Sequence, residues 1–364
     1  MEKRVFDFSP GPAVLPVPAL EEAQRNLVVM PGVGISILEI SHRSPTFTQI
    51  IQQAEANLRQ LLNIPDGYRV LFLQGGAHLQ FAMVPMNLLQ GTGKTADYIV
   101  SGSWGKKAMP EAERQGAAHV AWDGKSTNFN RVPKDSELDL TPEAAYVHFT
   151  SNETIQGVQF ANEPAVGNVP LVCDASSDFL HRPLPIEKYG IVYACAQKNL
   201  GPAGATVVVI RDDLVEQSAE NLPPMLSYRA MAEGKSLYNT APVFAIYMVK
   251  LVTDWLIGEM GGLDKMYALN KKKAKMLYDV VDQSGGFYDG HAEPTSRSLM
   301  NVTFRLPKPE LEGLFVEQAA QRDLLSLKGH RSVGGFRASI YNAMPLEGVE
   351  RLADFMRDFA KNNG

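Results

Sequence analysis

Cysteine is nearly absent from this chain of 364 residues, which contains only Cys173 and Cys195. A framework of disulfides is excluded at this count. Zinc has no Cys-x-x-Cys or paired-histidine spacing to use, so no metal site is expected. Each cysteine ends or interrupts an apolar, strand-like run, which favours a small buried hydrophobe in both cases.

Long uncharged apolar runs and an excess of positive charge are also missing. The amino terminus, MEKRVFDFSPGPAVLP, has charges and prolines where a signal peptide carries its apolar stretch, and no later run approaches the length of a membrane span. The formal net charge of −5 argues against a nucleic-acid or anionic-membrane partner. We expect a cytoplasmic protein whose ligands are small molecules.

From about residue 69, short β-branched runs alternate with helical patterns, which predicts an α/β domain with a mainly parallel sheet. The last two predicted strands are joined only by residues Gln197 to Gly204. A parallel crossover needs a dozen or more residues, so the final strand is predicted to run antiparallel. The predicted strands are RVLFL, ADYIV, AHVAW, AAYVHF, VPLVC, IVYACA and ATVVVI.

Two helical segments frame this sheet in the sequence. SPTFTQIIQQAEANLRQLL has apolar residues at helical spacing behind Ser44 and Pro45, which predicts an amphipathic helix facing the core. LDKMYALNKKKAKMLYDVVDQS predicts a long helix leading to a unit with its own strands, LMNVTFRL and FRASIY. We therefore predict a large domain over residues 1–265, a smaller α+β domain over 266–364, and residues 1–16 packed with the small domain.

Ligands of open parallel sheets bind beyond the carboxyl ends of the strands, where this chain places several polar stretches. GGAH opens a helix whose N–H groups suit a phosphate, although an ordinary turn explains it equally well. Asp174 follows VPLVC, and a helix cap is the simpler explanation for one aspartate there. The polar run TSNET follows AAYVHF. Lys198 closely follows IVYACA, and an isolated lysine at the end of a strand usually extends its ammonium group into solvent.

Together these residues indicate more than they do singly. A partly desolvated lysine forms Schiff bases, an aspartate pairs with a pyridinium nitrogen, and a glycine-rich helix start holds phosphate. Pyridoxal phosphate requires these three attachments. Trp104, expected in a loop after ADYIV, offers an aromatic face for a planar ring, with a buried core tryptophan as the alternative.

Two basic turns stand out in an acidic chain: SHRSP and KGHRSVGGFR. Arginine forks bind carboxylate and phosphate in a bidentate manner. Solvated loop charge is the usual explanation for any single arginine, but two His-Arg pairs favour an anionic substrate. The residues concerned are His42, Arg43, His330, Arg331 and Arg337.

At these residues the sequence resembles the phosphoserine aminotransferase family of class V, fold-type-I pyridoxal phosphate enzymes, over essentially the whole chain. The motifs that carry the resemblance are FSPGPAVLP, EISHRSPTF, LFLQGGAHLQFAMVPMNLL, ADYIVSGSW, SNETIQGVQF, AQKNLGPAG, LYNTAP and LKGHRSVGGFRASIYNAMPLEGV. The resemblance implies a large domain whose mainly parallel sheet contains one antiparallel strand, followed by a smaller α+β domain.

The resemblance also implies the site and its occupants. Lys198 carries the cofactor as an internal aldimine, Asp174 faces the pyridine nitrogen, and Trp104 stacks on the ring. The remaining implied cofactor contacts are Ala77, His78, Thr154 and Gln197, with Asn239 and Thr240 reaching the phosphate from the partner subunit of a homodimer. His78 departs from the small residue or arginine more often found there. Ser9 and Arg43 bind the glutamate carboxylate, and the implied contacts of the phosphorylated substrate are His42, His330, Arg331 and Arg337.

The implied activity is a ping-pong transfer of the amino group from L-glutamate to 3-phosphohydroxypyruvate, giving O-phospho-L-serine and 2-oxoglutarate in serine biosynthesis. Related chemistry on 4-phosphohydroxythreonine in pyridoxine biosynthesis is a second role. A cysteine desulfurase needs a cysteine in a mobile loop, and an alanine–glyoxylate aminotransferase would not need the second His-Arg cluster. A non-catalytic cofactor-binding protein is the alternative from another class.

Overall fold

The computed structural model describes residues 4–364. Its strands are β1 (Phe6–Asp7), β2 (Tyr68–Leu73), β3 (Thr95–Val100), β4 (Ala117–Asp123), β5 (Tyr146–Thr150), β6 (Asn152–Glu153), β7 (Val158–Gln159), β8 (Leu171–Asp174), β9 (Ile191–Cys195), β10 (Thr206–Arg211), β11 (Asp289–Gly290), β12 (Asn301–Arg305), β13 (Leu324–Leu325) and β14 (Phe336–Ser339). Its α-helices are α1 (Val17–Asn26), α2 (Pro45–Leu62), α3 (Gly76–Leu88), α4 (Ser103–Glu113), α5 (Asp212–Glu216), α6 (Tyr228–Glu233), α7 (Val243–Gly258), α8 (Leu263–Asp282), α9 (Leu311–Ala320) and α10 (Leu346–Asn363).

A seven-stranded sheet organises the larger part of the chain, in the order β2-β10-β9-β8-β5-β3-β4. All seven predicted strands belong to it. Strand β10 runs antiparallel to both β2 and β9, whereas the remaining neighbours are parallel. The prediction of one reversed strand is therefore confirmed. The short connection returns the chain so directly that Thr206 pairs with Cys195.

Both faces of this sheet are covered by helices. Every residue of β5, β8 and β9 is buried, as expected of parallel strands between two helical layers. One core cluster joins the sheet to α2 and α7, and another joins it to α3 and α4. Such a sheet leaves its carboxyl edge as the place where loops and helix starts can converge on a ligand.

Helix α2 begins and ends as its sequence predicts. The Ser44 side chain accepts a hydrogen bond from the Phe47 N–H, and Pro45 fills the first helical position, where no N–H is needed. The helix stops at Asn63, which adopts a left-handed conformation with φ of 48°. Its Asn57 donates to Thr253 and Asp254 of α7, so a polar clamp accompanies the apolar contact between the two helices.

The carboxyl-terminal unit contains a three-stranded antiparallel sheet, β11-β12-β14, with a third core cluster formed mainly by residues 274–359. Phe6 and Phe8 belong to this cluster, and β1 pairs with β13. The first three residues of the predicted 1–16 segment lie outside the described residues. The partition at residue 265 stays a prediction, because α8 runs across it. Within residues 4–364, no helix combines the length and the apolar character needed to cross a membrane.

Candidate active site

A cavity of about 370 Å³ lies at the carboxyl edge of the large sheet, where β8 and β9 end and α3 and α4 begin. Glycines of the turns before α3 and β10 form part of its wall, together with Cys195. Six of the residues predicted from the sequence line it: Ala77, His78, Trp104, Asp174, Gln197 and Lys198. A second cleft of about 310 Å³, between the amino-terminal segment and the α7–α8 connection, is largely apolar and contains none of the predicted site residues.

Lys198 projects from the turn that follows β9. Its Nζ donates a hydrogen bond to Thr154 Oγ1 at 2.9 Å and lies 5.2 Å from the centre of the Trp104 ring. The amino-terminal loop closes over its stem, since a Cβ placed on Gly11 would be 3.2 Å from Lys198 Cγ. The Ala13 N–H also donates to the Gln197 carbonyl. The Lys198 side chain is therefore surrounded by three separate segments of the chain, which contain Thr154, Trp104 and Gly11.

Asp174 ends β8 and is buried beside Lys198. Its Oδ1 accepts a hydrogen bond from the Ser176 N–H at 2.9 Å. Burial raises the pKa of this carboxyl, while the contacts with Ser176 and the positive charge of Lys198 oppose that change. Because this carboxyl is shielded from water, its ionised form would be stabilised by a second cation placed against it, such as a protonated ring nitrogen.

The start of α3 depends on Gly75. This residue has φ of 87°, and a Cβ there would lie 2.5 Å from Leu79 Cδ2, so a side chain is excluded. Gly75, the residue before the helix, has no side chain that could cap it. Of the N–H groups at this helix start, that of Gly76 donates to Thr206 Oγ1. The positive end of the helix, with Ala77 and His78 in its first turn, therefore faces the cavity ready for an anion.

The loop position predicted for Trp104 is wrong, because Trp104 stands in the first turn of α4. The helix begins this early because Glu153 accepts hydrogen bonds from the Trp104 and Gly105 N–H groups, at 2.9 and 2.8 Å. Gln156 adds a second contact, donating to Ser103 Oγ at 2.8 Å. The β6–β7 hairpin thus supplies the cap that the helix lacks in its own sequence.

Glu153 is a site residue that the sequence reasoning did not single out. It is fully buried, and burial raises the pKa of its carboxyl to about 7, against the lowering effect of the two N–H donors. Asp174 raises this pKa further and Lys198 lowers it, so the three groups share one electrostatic environment. Its sequence signal was only its place in the polar run after β5, beside Thr154.

The second basic turn lies near the cavity. Arg337, on β14, is buried and donates to the Thr154 carbonyl at 3.4 Å, whereas its Nε has no partner within the described residues. His330 and Arg331 stand in the loop before β14. Burial lowers the pKa of His330, and the charges of Arg337, Arg331 and Lys107 lower it further. These basic groups are therefore close enough to act on one another.

Other predicted residues do not line this cavity. His42 and Arg43 stand in the loop before α2, with Arg43 exposed, and neither lines the cavity. Ser9 accepts from the Gly11 N–H in the amino-terminal loop. The remaining two residues stand before α7: Asn239 donates to Gln74 at 3.3 Å, next to the start of α3, and Thr240 is exposed.

This fold and this cavity are those of an aminotransferase. The chain belongs to the family described as Aminotransferase class-V, which matches residues 5–352. A phosphoserine aminotransferase from Rhodopirellula baltica is 53% identical over 362 residues, covering 99% of this chain and 96% of the relative. The solved phosphoserine aminotransferase of Bacillus circulans subsp. alkalophilus is 50% identical, covers 100% of both chains and superimposes with a TM-score of 0.97. The pyridoxal-phosphate-bound phosphoserine aminotransferase of Trichomonas vaginalis is 40% identical over 97% of this chain and 100% of its own, with a TM-score of 0.92.

Proposed function

We propose that this chain is a pyridoxal-phosphate-dependent aminotransferase that exchanges the amino group between L-glutamate and 3-phosphohydroxypyruvate. The observation that carries the proposal is the convergence of Lys198, Asp174 and the uncapped start of α3 on one cavity. Full-length similarity to phosphoserine aminotransferases supports this acceptor. Serine biosynthesis is the pathway that this activity serves, and 4-phosphohydroxythreonine is a second substrate to test.

The residues of the cavity fit pyridoxal phosphate. The first turn of α3, with Ala77 and His78, would hold the phosphate, and Asp174 would hold the ring nitrogen in its protonated form. Trp104 would cover a ring face, and Lys198 would bind the aldehyde carbon. Thr154 and Gln197 are the other predicted contacts from the same chain. When bound, the cofactor supplies an aldehyde that carries the amino group and a ring that accepts the electrons left by the α-proton.

The proton in this reaction moves through Lys198. Once the Lys198 amine is free, Nζ would take the α-proton of the substrate and deliver it to the former aldehyde carbon of the cofactor, on the other side of the amino nitrogen. The Thr154 hydroxyl, which accepts from Nζ, directs the amine and limits its rotation. Asp174 would hold its negative charge beside the ring nitrogen of the bound cofactor, because burial makes an unpaired carboxylate unfavourable there.

The substrates that fit this site are anions. The Arg337 guanidinium is buried without a carboxylate partner among residues 4–364, so a substrate carboxylate would satisfy its unpaired Nε–H. His330 and Arg331 would meet the phosphate of the keto acid. The predicted roles of Ser9 and Arg43 in binding glutamate, and of His42 in binding the phosphorylated substrate, complete the set.

We further propose a homodimer. Apolar side chains exposed along residues 27–38, with Val28 the most exposed at 79%, support an interface. A second copy would bring His42 and Arg43 of one chain to the cavity of the other, and Asn239 and Thr240 to its phosphate end. Light scattering tests the assembly, and fractionation of the source cells tests the cytoplasmic location that we propose.

The activity is tested by following 2-oxoglutarate released from L-glutamate with 3-phosphohydroxypyruvate as acceptor. Formation of phosphoserine at a rate dependent on added pyridoxal phosphate is the expected result. Binding of the cofactor without turnover on this or any other keto acid supports instead a non-catalytic binding protein. A desulfurase is disfavoured because Cys173 and Cys195 are both buried in strands, where burial raises the pKa of each thiol.

A further inference from the structure

Lys107, in the second turn of α4, is a cation that neither basic motif includes. Its Nζ lies 4.3 Å from the centre of the Trp104 ring. It has no ion pair and no side-chain hydrogen bond within residues 4–364, whereas some exposed basic residues do, such as Arg69 with Asp212. Its charge is also one of those that depress the pKa of His330, which places it near the loop before β14.

Four basic side chains therefore lie near one another, close to Trp104 and Thr154: Lys107, His330, Arg331 and Arg337. None of the four forms an ion pair within the described residues, although the chain has 40 aspartates and glutamates for its 35 lysines and arginines. Buried Arg337 retains an unpartnered Nε. Like charges held together repel, so an arrangement of this kind is stabilised when an anion binds between them.

We propose that Lys107 is a further contact for the phosphate group of the substrate and favours phosphorylated over unphosphorylated keto acids. The proposal rests on the proposed function, since it assigns a recognition role at that same site. The cation–π contact with Trp104 would hold the ammonium above the tryptophan, which lines the cavity. A flexible lysine suits a dianion because it acts as a point charge that needs no fixed fork geometry.

The chain offers a matched control in Lys106. It is also exposed, but it lies one position earlier on α4, so its side chain points about 100° away around the helix. The test compares Lys107→Ala, Lys107→Arg and Lys106→Ala in the enzyme reconstituted with pyridoxal phosphate. KM values for L-glutamate and for 3-phosphohydroxypyruvate are measured separately.

Lys107→Ala is expected to raise KM for 3-phosphohydroxypyruvate about tenfold, the loss of one charge-assisted contact. KM for L-glutamate should stay within about twofold, as should both values in Lys106→Ala, because exposed charges away from a ligand contribute little. Lys107→Arg should recover most of the loss. Equal KM changes for both substrates in Lys107→Ala, or no difference from Lys106→Ala, would overturn the proposal.

Binding of inorganic phosphate separates this proposal from the proposed function. It is followed through the tryptophan fluorescence of the same variants. If the unmodified enzyme does not convert 3-phosphohydroxypyruvate, the acceptor is wrong, but phosphate binding weakened only in Lys107→Ala still supports a phosphate contact. Phosphate binding that is equal in the Lys107→Ala and Lys106→Ala variants contradicts it.

Discussion

The Nζ of Lys198 lies 2.9 Å from the hydroxyl oxygen of Thr154, although 44 residues separate the two in the chain. The hairpin that carries Thr154 also carries Glu153, the cap of α4. One hairpin therefore orients both the lysine and the tryptophan that flank the cavity. This arrangement makes Thr154 and Glu153 the most informative positions for substitution.

Thr154→Val should lower kcat about tenfold, because an ammonium loses a nearly buried hydrogen-bond acceptor without a change in side-chain volume. Thr154→Ser keeps the hydroxyl and should stay close to the unmodified enzyme. Single-turnover kinetics with L-glutamate measure both. A loss in Thr154→Ser with none in Thr154→Val would show that the methyl group, and not the hydroxyl, is what the site requires.

Asp174→Asn should lower turnover by roughly a hundredfold or more, the range observed when a group that controls protonation is removed. Stability of the cofactor-free protein should not fall, since burial already disfavours the Asp174 carboxylate. Steady-state kinetics and thermal unfolding of the same preparation separate the two effects. Full turnover in Asp174→Asn would reject the role of this carboxylate at the ring nitrogen.

Glu153 should give the environment of Trp104 a pH dependence. The pKa of Glu153 is raised from 4.5 to about 7 by burial, so the folded protein binds a proton between these values that the unfolded chain does not. The contribution of Glu153 to the free energy of unfolding should therefore fall as pH rises from about 4.5 to 7. Fluorescence of Trp104, with Trp122 and Trp255 replaced by phenylalanine, should titrate with a midpoint near pH 7.

The matched variant for that titration is Glu153→Gln, which removes the proton but keeps the length of the side chain. The midpoint near pH 7 should disappear in this variant. The dissociation constant of pyridoxal phosphate should rise, because α4 loses one acceptor for the N–H groups at its start. Persistence of the same midpoint after the substitution would assign the titration to another group.

Arg43 should act across the interface of the proposed dimer. Arg43→Ala and Lys198→Ala are each expected to be inactive, but refolding the two together should restore about a quarter of the activity, as random pairing leaves one intact site in half of the dimers. Mixed chains that stay inactive would mean that Arg43 serves its own cavity or none.

Sequence patterns went furthest where the structure is decided locally. The Ser44 cap, the apolar face of α2 and the short turn before β10 are local features, and each predicted element is present. Asp174 and Lys198 could be brought together because parallel strands end at the same edge. The sequence pattern did not predict that Trp104 lies in a helix. The start of α4 is capped by Glu153, about 50 residues away in the chain, which accepts from two backbone N–H groups. No pattern of side chains near Trp104 indicates such a distant cap.

The basic residues show the same limit at a larger scale. The sequence indicated two His-Arg pairs as candidate anion-binding residues, His42 with Arg43 and His330 with Arg331. The fold places only the second pair near the cavity of the same chain. The positive charge and the glycines of a turn indicate that it can bind an anion, but they do not show whether it contributes to the cavity of its own chain or to that of a partner subunit. Lys107 was overlooked because its environment depends on the fold of α4 and on Trp104 beneath it.

The most direct test of the account is an absorbance scan of the purified protein reconstituted with pyridoxal phosphate, before and after L-glutamate and then after 3-phosphohydroxypyruvate. We predict that the visible band of the bound cofactor disappears with glutamate and returns with the phosphorylated keto acid, and that Lys198→Ala shows neither change. If glutamate removes the band but only an unphosphorylated keto acid restores it, the substrate assignment is contradicted; a protein that forms no band contradicts the role of Lys198.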